Sequence, residues 1–98
     1  MPVPVSGGPG PAAPTDAAHR GVFRVRYDDA DSAAAVADAV AVEEDDIDDD
    51  RSRARVDRTA ATVWVVVEAR DLVGLRAGLN TWSRLVEAAE SAVGVARA

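Results

Sequence analysis

Ninety-eight residues with 48% hydrophobic content and a net charge of −6 bound the chain to one small domain. Cysteine is absent, which excludes disulfides, thiol catalysis and thiolate metal sites, and no apolar run reaches the roughly 18 residues that a membrane span needs. All eleven basic residues are arginine and twelve of the seventeen acids are aspartate, a balance expected in a high-salt cytoplasm, where charge keeps the chain dissolved and salt screens self-repulsion, and one that a GC-rich genome alone would partly produce.

Residues 1–20, MPVPVSGGPGPAAPTDAAHR, hold all five prolines, three of the seven glycines and the only histidine. That composition buries too little apolar surface to offset chain entropy, so a flexible Pro/Gly/Ala-rich tail is expected. It has no basic start followed by an apolar run, and so does not read as a secretory signal. A single α+β domain is expected over residues 21–98, which keep the whole charge of −6 (16 acids against 10 arginines).

From Gly21 the pattern GVFRVRYDD alternates, with Phe23, Val25 and Tyr27 on one side and Arg24 and Arg26 on the other. This predicts a strand with one wet face. DDADSAAAVADAVAVEED then predicts a helix capped by Asp31 or Ser32, with Ala33, Val36, Ala37 and Val40 at helical spacing. It is expected to stop near Glu43, where like charges accumulate.

The stretch EEDDIDDDRSRARVDR places seven acids in eight residues directly before four arginines. Asp46, Asp48 and Asp50 have the spacing of a calcium loop, but Arg51 stands where the sharp turn needs glycine and Asp57 where a bidentate glutamate belongs. The bland reading is a solvated, salt-adapted loop whose arginines pair with neighbouring acids. The alternative is a phosphate contact through Arg51, Arg53, Arg55 and Arg58, alternate members of which share one face of a short strand, SRARVD.

DRTA has the composition of a hairpin turn, and ATVWVVVEA is the clearest strand in the chain. Val63, Val65 and Val67 point one way, Trp64 and Val66 the other. With helices on one side of a three-stranded sheet, Trp64 and Val66 would face water unless something covers them.

Asp71 is expected to cap the last helix, in which Leu72, Leu75, Leu79, Trp82, Val86, Ala89 and Val93 repeat every third or fourth residue. Such a stripe first of all fills a core. Yet a helix of some 22 residues runs about 33 Å, longer than a small sheet covers, so part of the stripe is expected to meet another chain. Gly74 and Gly78 mark a close packing spot. The order β-α-β-β-α predicts a two-layer α+β sandwich, a three-stranded antiparallel sheet with two helices on one face.

Catalytic constellations are lacking in the sequence. His19 stands alone, no serine has a partnering base, and there is neither a Gly-rich phosphate loop nor the G-x-x-G clamp of a KH module. No cofactor or metal is expected, and the chain does not read as an enzyme.

The segment VVVEARDLVGLRAGLNTWSRLVEAAE, with its D-L-x-x-L-R-A-x-L-N-[ST] core at Asp71–Thr81, resembles the C-terminal half of the small dimerising subunit of the KEOPS complex, the CTAG/Pcc family. The preceding strand, Ala-rich helix and hairpin are similar too, so the likeness spans residues 21–93 and departs at the acidic loop 43–50, a departure that origin in a halophilic archaeon would explain. It implies a cytoplasmic, non-catalytic homodimer that docks through its helices on a metal- and ATP-dependent threonylcarbamoyltransferase. That assembly modifies the adenosine beside the anticodon of tRNA. Under this resemblance Trp64 and Val66 are candidates for the homodimer contact. Val36, Val40, Leu75, Arg76, Leu79, Asn80, Trp82 and Val86 are candidates for core or for the catalytic subunit. Arg24, Arg26, Arg51, Arg53, Arg55 and Arg58 are weak candidates for tRNA. The alternative is a stand-alone RNA-binding α+β module using the same arginines.

Overall fold

The β-branched run Thr62–Ala69 suits a strand buried on both faces, and it takes the centre of the sheet in the computed structural model, which describes residues 19–44 and 52–98. We label the strands β1 (His19–Arg26), β2 (Ser52–Thr59) and β3 (Thr62–Ala69). The sheet order is β1-β3-β2, antiparallel throughout. Phe23 pairs with Val65 on one side, and Val56 pairs with Val65 on the other. Strand β1 begins at His19, two residues inside the stretch read as tail from sequence.

The hairpin between β2 and β3 closes on two residues, Ala60 and Ala61, after the Thr59–Thr62 pair. Ala60 has φ 53°, a left-handed backbone that a Cβ disfavours. Ala60→Gly is therefore expected to stabilise the fold by about 1 kcal/mol, the relieved strain outweighing the added chain entropy. Urea unfolding checks this; an unchanged or lower midpoint contradicts it.

Helix α1 (Ala30–Ala41) starts earlier than the sequence suggested. Its cap is Asp29, not Asp31 or Ser32: the Asp29 carboxylate accepts the Ser32 N–H at 2.7 Å, and this bond holds the carboxyl below its ordinary value. The start at Asp29 leaves Ala33, Val36, Ala37 and Val40 buried. Helix α2 (Leu72–Val93) is capped as expected, with Gly74 N–H donating to the Asp71 carboxylate at 2.7 Å, and it ends on left-handed Gly94 at φ 73°.

Both helices cover the same face of the sheet, completing the β-α-β-β-α two-layer α+β architecture. Val63, Val65 and Val67 from β3 meet Val25 and Tyr27 from the first strand and its end, Ala54 from β2, and Trp82, Val86 and Ala89 from α2. Full burial of each such valine contributes about 1.5–3 kcal/mol. The glycine at 78 sets the closest approach of α2 to the sheet: a Cβ there would lie 2.7 Å from Val67 Cγ1.

The chain end folds back onto β1. Ala98 N–H donates to the Arg26 carbonyl at 2.9 Å, and Arg97 bridges to Tyr27. Glu90 ties this together through one oxygen, Oε2, which accepts the Tyr27 hydroxyl at 2.6 Å and Arg97 Nε at 2.7 Å. Burial, then the Glu90 carboxylate, push the Tyr27 hydroxyl pKa up, so it stays a protonated donor at any working pH.

Candidate functional site

Two surfaces remain once the core is assigned. The first is the sheet face opposite the helices. Period-2 alternation in the observed register puts Trp64, Val66 and Glu68 of β3 there, between Arg20, Val22 and Arg24 of β1 and Arg53, Arg55 and Asp57 of β2. Arg26 continues the β1 row beside Thr62.

Trp64 and Val66, expected to face water unless covered, are 3% and 2% exposed. The Arg24 guanidinium lies over the indole, 5.6 Å from the ring centroid, a cation–π distance, and its aliphatic stem covers apolar surface. Glu68 is 3% exposed. Burial raises its carboxyl pKa, against the pull of Arg20, Arg53 and Arg55.

Sequence reasoning passed over Glu68. The signal was present, because Glu68 continues the Trp64, Val66 alternation and so sets a carboxylate on an apolar row.

The arginines divide between surfaces. Arg24, Arg53 and Arg55 share the sheet face, with Arg20 as a fourth member that the sequence reading assigned to the tail. Arg58 has the opposite parity on β2 and lines a shallow groove with Ala37, Ala41 and Val56, its guanidinium donating to the Ala60 carbonyl at 2.9 Å. Arg51 and the acidic residues 45–50, with the calcium-loop reading, lie outside the described residues. Glu44, just before them, accepts Val56 N–H at 2.7 Å and so occupies a donor of the edge strand β2.

The second surface is the solvent side of α2. Of the residues named for core or catalytic-subunit contact, Val36, Val40, Trp82 and Val86 lie in this chain's own core. Leu75 and Leu79 pack against that core while partly exposed, with their methyl carbons over Gly21. Arg76 and Asn80 are exposed. The ends of the apolar stripe run past the core: Leu72 is 63% exposed, and its neighbour Val73 is 70% exposed. Val73, Arg76, Ala77, Asn80, Thr81 and Arg84 therefore form one solvent-facing strip of mostly small or polar side chains.

Among the described residues no cluster of three or more His, Cys, Asp or Glu side chains could hold a metal ion. No helix among them is long and apolar enough to cross a membrane.

A search of curated proteins returned no match. A family model described as transcription factor Pcc1 matches residues 20–93, which take in nearly all of β1, both helices, and β2 and β3. The chain thus belongs to the Pcc1 family, a family of non-catalytic subunits associated with the KEOPS complex and tRNA modification.

Proposed function

We propose that the chain is the cytoplasmic dimerisation and assembly subunit of the KEOPS complex, which makes threonylcarbamoyl adenosine next to the anticodon of tRNA. The observation that carries this reading is the family match across residues 20–93. In this reading the two surfaces serve different partners. The sheet face, with Trp64 and Val66 at its centre, meets a second copy of the chain. The exposed strip of α2, with Arg76 and Asn80 behind the protruding Leu72 and Val73, docks on the catalytic threonylcarbamoyltransferase subunit. Leu75 and Leu79 support that strip from below, and Val36, Val40, Trp82 and Val86 support it from the core.

The tRNA role is constrained by the same geometry. Arg24, Arg53 and Arg55 share the face assigned to the dimer, so in a dimer they belong to its seam. Arg58, on the helix side near the hairpin, is then left for a polyanion, and Arg26 stands at the hairpin end of the seam. The second reading, a stand-alone RNA-binding module, is favoured by the arginines framing Trp64, and it requires that face to be open.

Calorimetric titration of the chain into the catalytic subunit tests the docking assignment. Arg76→Glu, on an exposed helix position, is expected to leave the thermal midpoint within about 1 °C while weakening binding about tenfold or more. Unchanged affinity in Arg76→Glu and in Asn80→Arg would remove the α2 strip from the interface.

A further inference from the structure

The apolar stripe of α2 leaves its first turn uncovered. Leu72 and Val73 are 63% and 70% exposed, and Leu75 and Leu79 behind them are only partly buried. Helical spacing sets Leu72, Leu75 and Leu79 in one row, with Val73 beside it. Apolar surface gathered in this way marks a contact.

The chain upstream of β1 departs from the same corner of the molecule. Leu75 and Leu79 lie over Gly21, with methyl carbons within 3.3 Å of where its Cβ would stand. His19, where β1 begins, pairs with Ala69, and Ala69 precedes Leu72 by three residues. Residues 1–18, part of the stretch expected as tail, lie outside the described residues and join β1 at this point, beside the N-terminus of α2.

The composition of that segment suits the patch. Asp16 is the only charged side chain in residues 1–18, and the first five residues, MPVPV, are all apolar. An uncharged segment gains little from the arginine-framed sheet face, whereas the first turn of α2 offers it apolar surface to bury. Pro2 and Pro4 fix φ and favour an extended polyproline form, so ordering this segment costs less than ordering another of equal length. Residues 6–18 then act as a spacer of 13 residues, which at coil dimensions spans about 20 Å and so reaches the first turn of α2 from His19. A tether this short holds the segment at about millimolar effective concentration, enough for a weak contact to be populated.

We propose that residues 2–5 dock on the Leu72, Val73, Leu75 and Leu79 end of α2 within the same chain, and that the catalytic subunit displaces them when it binds. The displacement rests on the docking reading of α2 above; the contact itself does not. The segment shields the apolar end of the free subunit and competes for its docking site.

The chain has no cysteine, so Ser6→Cys gives the full chain a single attachment point for a nitroxide. Paramagnetic broadening of isotope-labelled backbone amides then reports where the tail lies. The amides of Leu72, Val73, Leu75 and Leu79 are expected to broaden. Adding Val3→Asp and Val5→Asp, which set charges into the apolar contact, should cut that broadening about twofold or more. Neither substitution touches a core residue. A tether that brings the nitroxide close without any docking predicts equal broadening in both chains, and that result overturns the proposal. Broadening seen only between a nitroxide-bearing copy and a separately isotope-labelled copy places the contact between chains and also overturns it.

Calorimetric titration into the catalytic subunit reads the displacement. With the patch open about one-fifth of the time, Val3→Asp and Val5→Asp together should tighten binding about fivefold. Equal affinities overturn the displacement. A chain that fails to bind the catalytic subunit with or without the substitutions overturns the docking reading, while the broadening still decides the contact.

Discussion

Trp82→Ala is expected to lower stability by about 3–5 kcal/mol, the cost of removing a fully buried aromatic side chain and leaving a cavity. Trp82 is 1% exposed and packs among the β3 valines, Val36, Val40 and Val86. A domain of this size has about 5–15 kcal/mol in total, so the variant should sit at the edge of folding. Equilibrium urea unfolding at constant salt reads this directly. The same substitution separates two assignments of the apolar stripe. If Trp82 belonged to a partner interface, the isolated chain would unfold at nearly its wild-type midpoint, and the loss would appear only in binding.

Gly78→Ala is the second large effect, and its sign is the informative part. Alanine is favoured over glycine in a helix interior by about 1 kcal/mol, so propensity alone predicts a more stable protein. The added Cβ, however, would lie 2.7 Å from Val67 Cγ1, a β-branched side chain that is fully buried and cannot turn away. Overpacking of this kind costs typically about 1–3 kcal/mol and forces α2 outward along its contact with the sheet. The expected result is a net loss of about 1 kcal/mol, the overpacking cost outweighing the propensity gain, measured by the same unfolding experiment. A gain in stability would contradict the close approach of α2 to Val67.

The layered architecture was legible because alternation and helical spacing report directly on burial. Phe23, Val25 and Tyr27 fall on the helix side of β1, and Val63, Val65 and Val67 do so on β3, as the sequence pattern implied. The helix start was harder to read. Asp28, Asp29, Asp31 and Ser32 all have capping chemistry, and local pattern does not choose among them; in the structure the Asp29 carboxylate accepts the Ser32 N–H.

The division of the long stripe on α2 was not legible at all. An apolar side chain has the same spacing whether its own sheet or another protein covers it. Trp82, in mid-helix, is buried, whereas Leu72, the first residue of the helix, is exposed. Long-range polar contacts were equally hidden: Glu90 meets Tyr27 across 63 positions, and Glu44 reaches Val56 across 12. Local pattern carries no information about such pairings. Glu68 is different, because its place in the Trp64, Val66 row was readable, and its neglect came from ending the alternation two residues early.

The functional account joins the family assignment to the two surfaces left after folding. One is the sheet face, framed by arginine, with Trp64 and Val66 at its centre. The other is a helical strip of small and polar residues beside exposed Leu72 and Val73. A subunit that joins two catalytic units needs one self-complementary surface and one directed at the catalyst. The two surfaces lie on opposite layers of the sandwich, so both can be engaged at once.

The most direct test is the molar mass by light scattering of the full chain in multimolar KCl, alone and with the catalytic threonylcarbamoyltransferase subunit. The account predicts a dimer alone and a larger stable complex, containing two copies of each protein, once the catalytic subunit is added. A chain that remains monomeric and whose mass is unchanged by the catalytic subunit contradicts it.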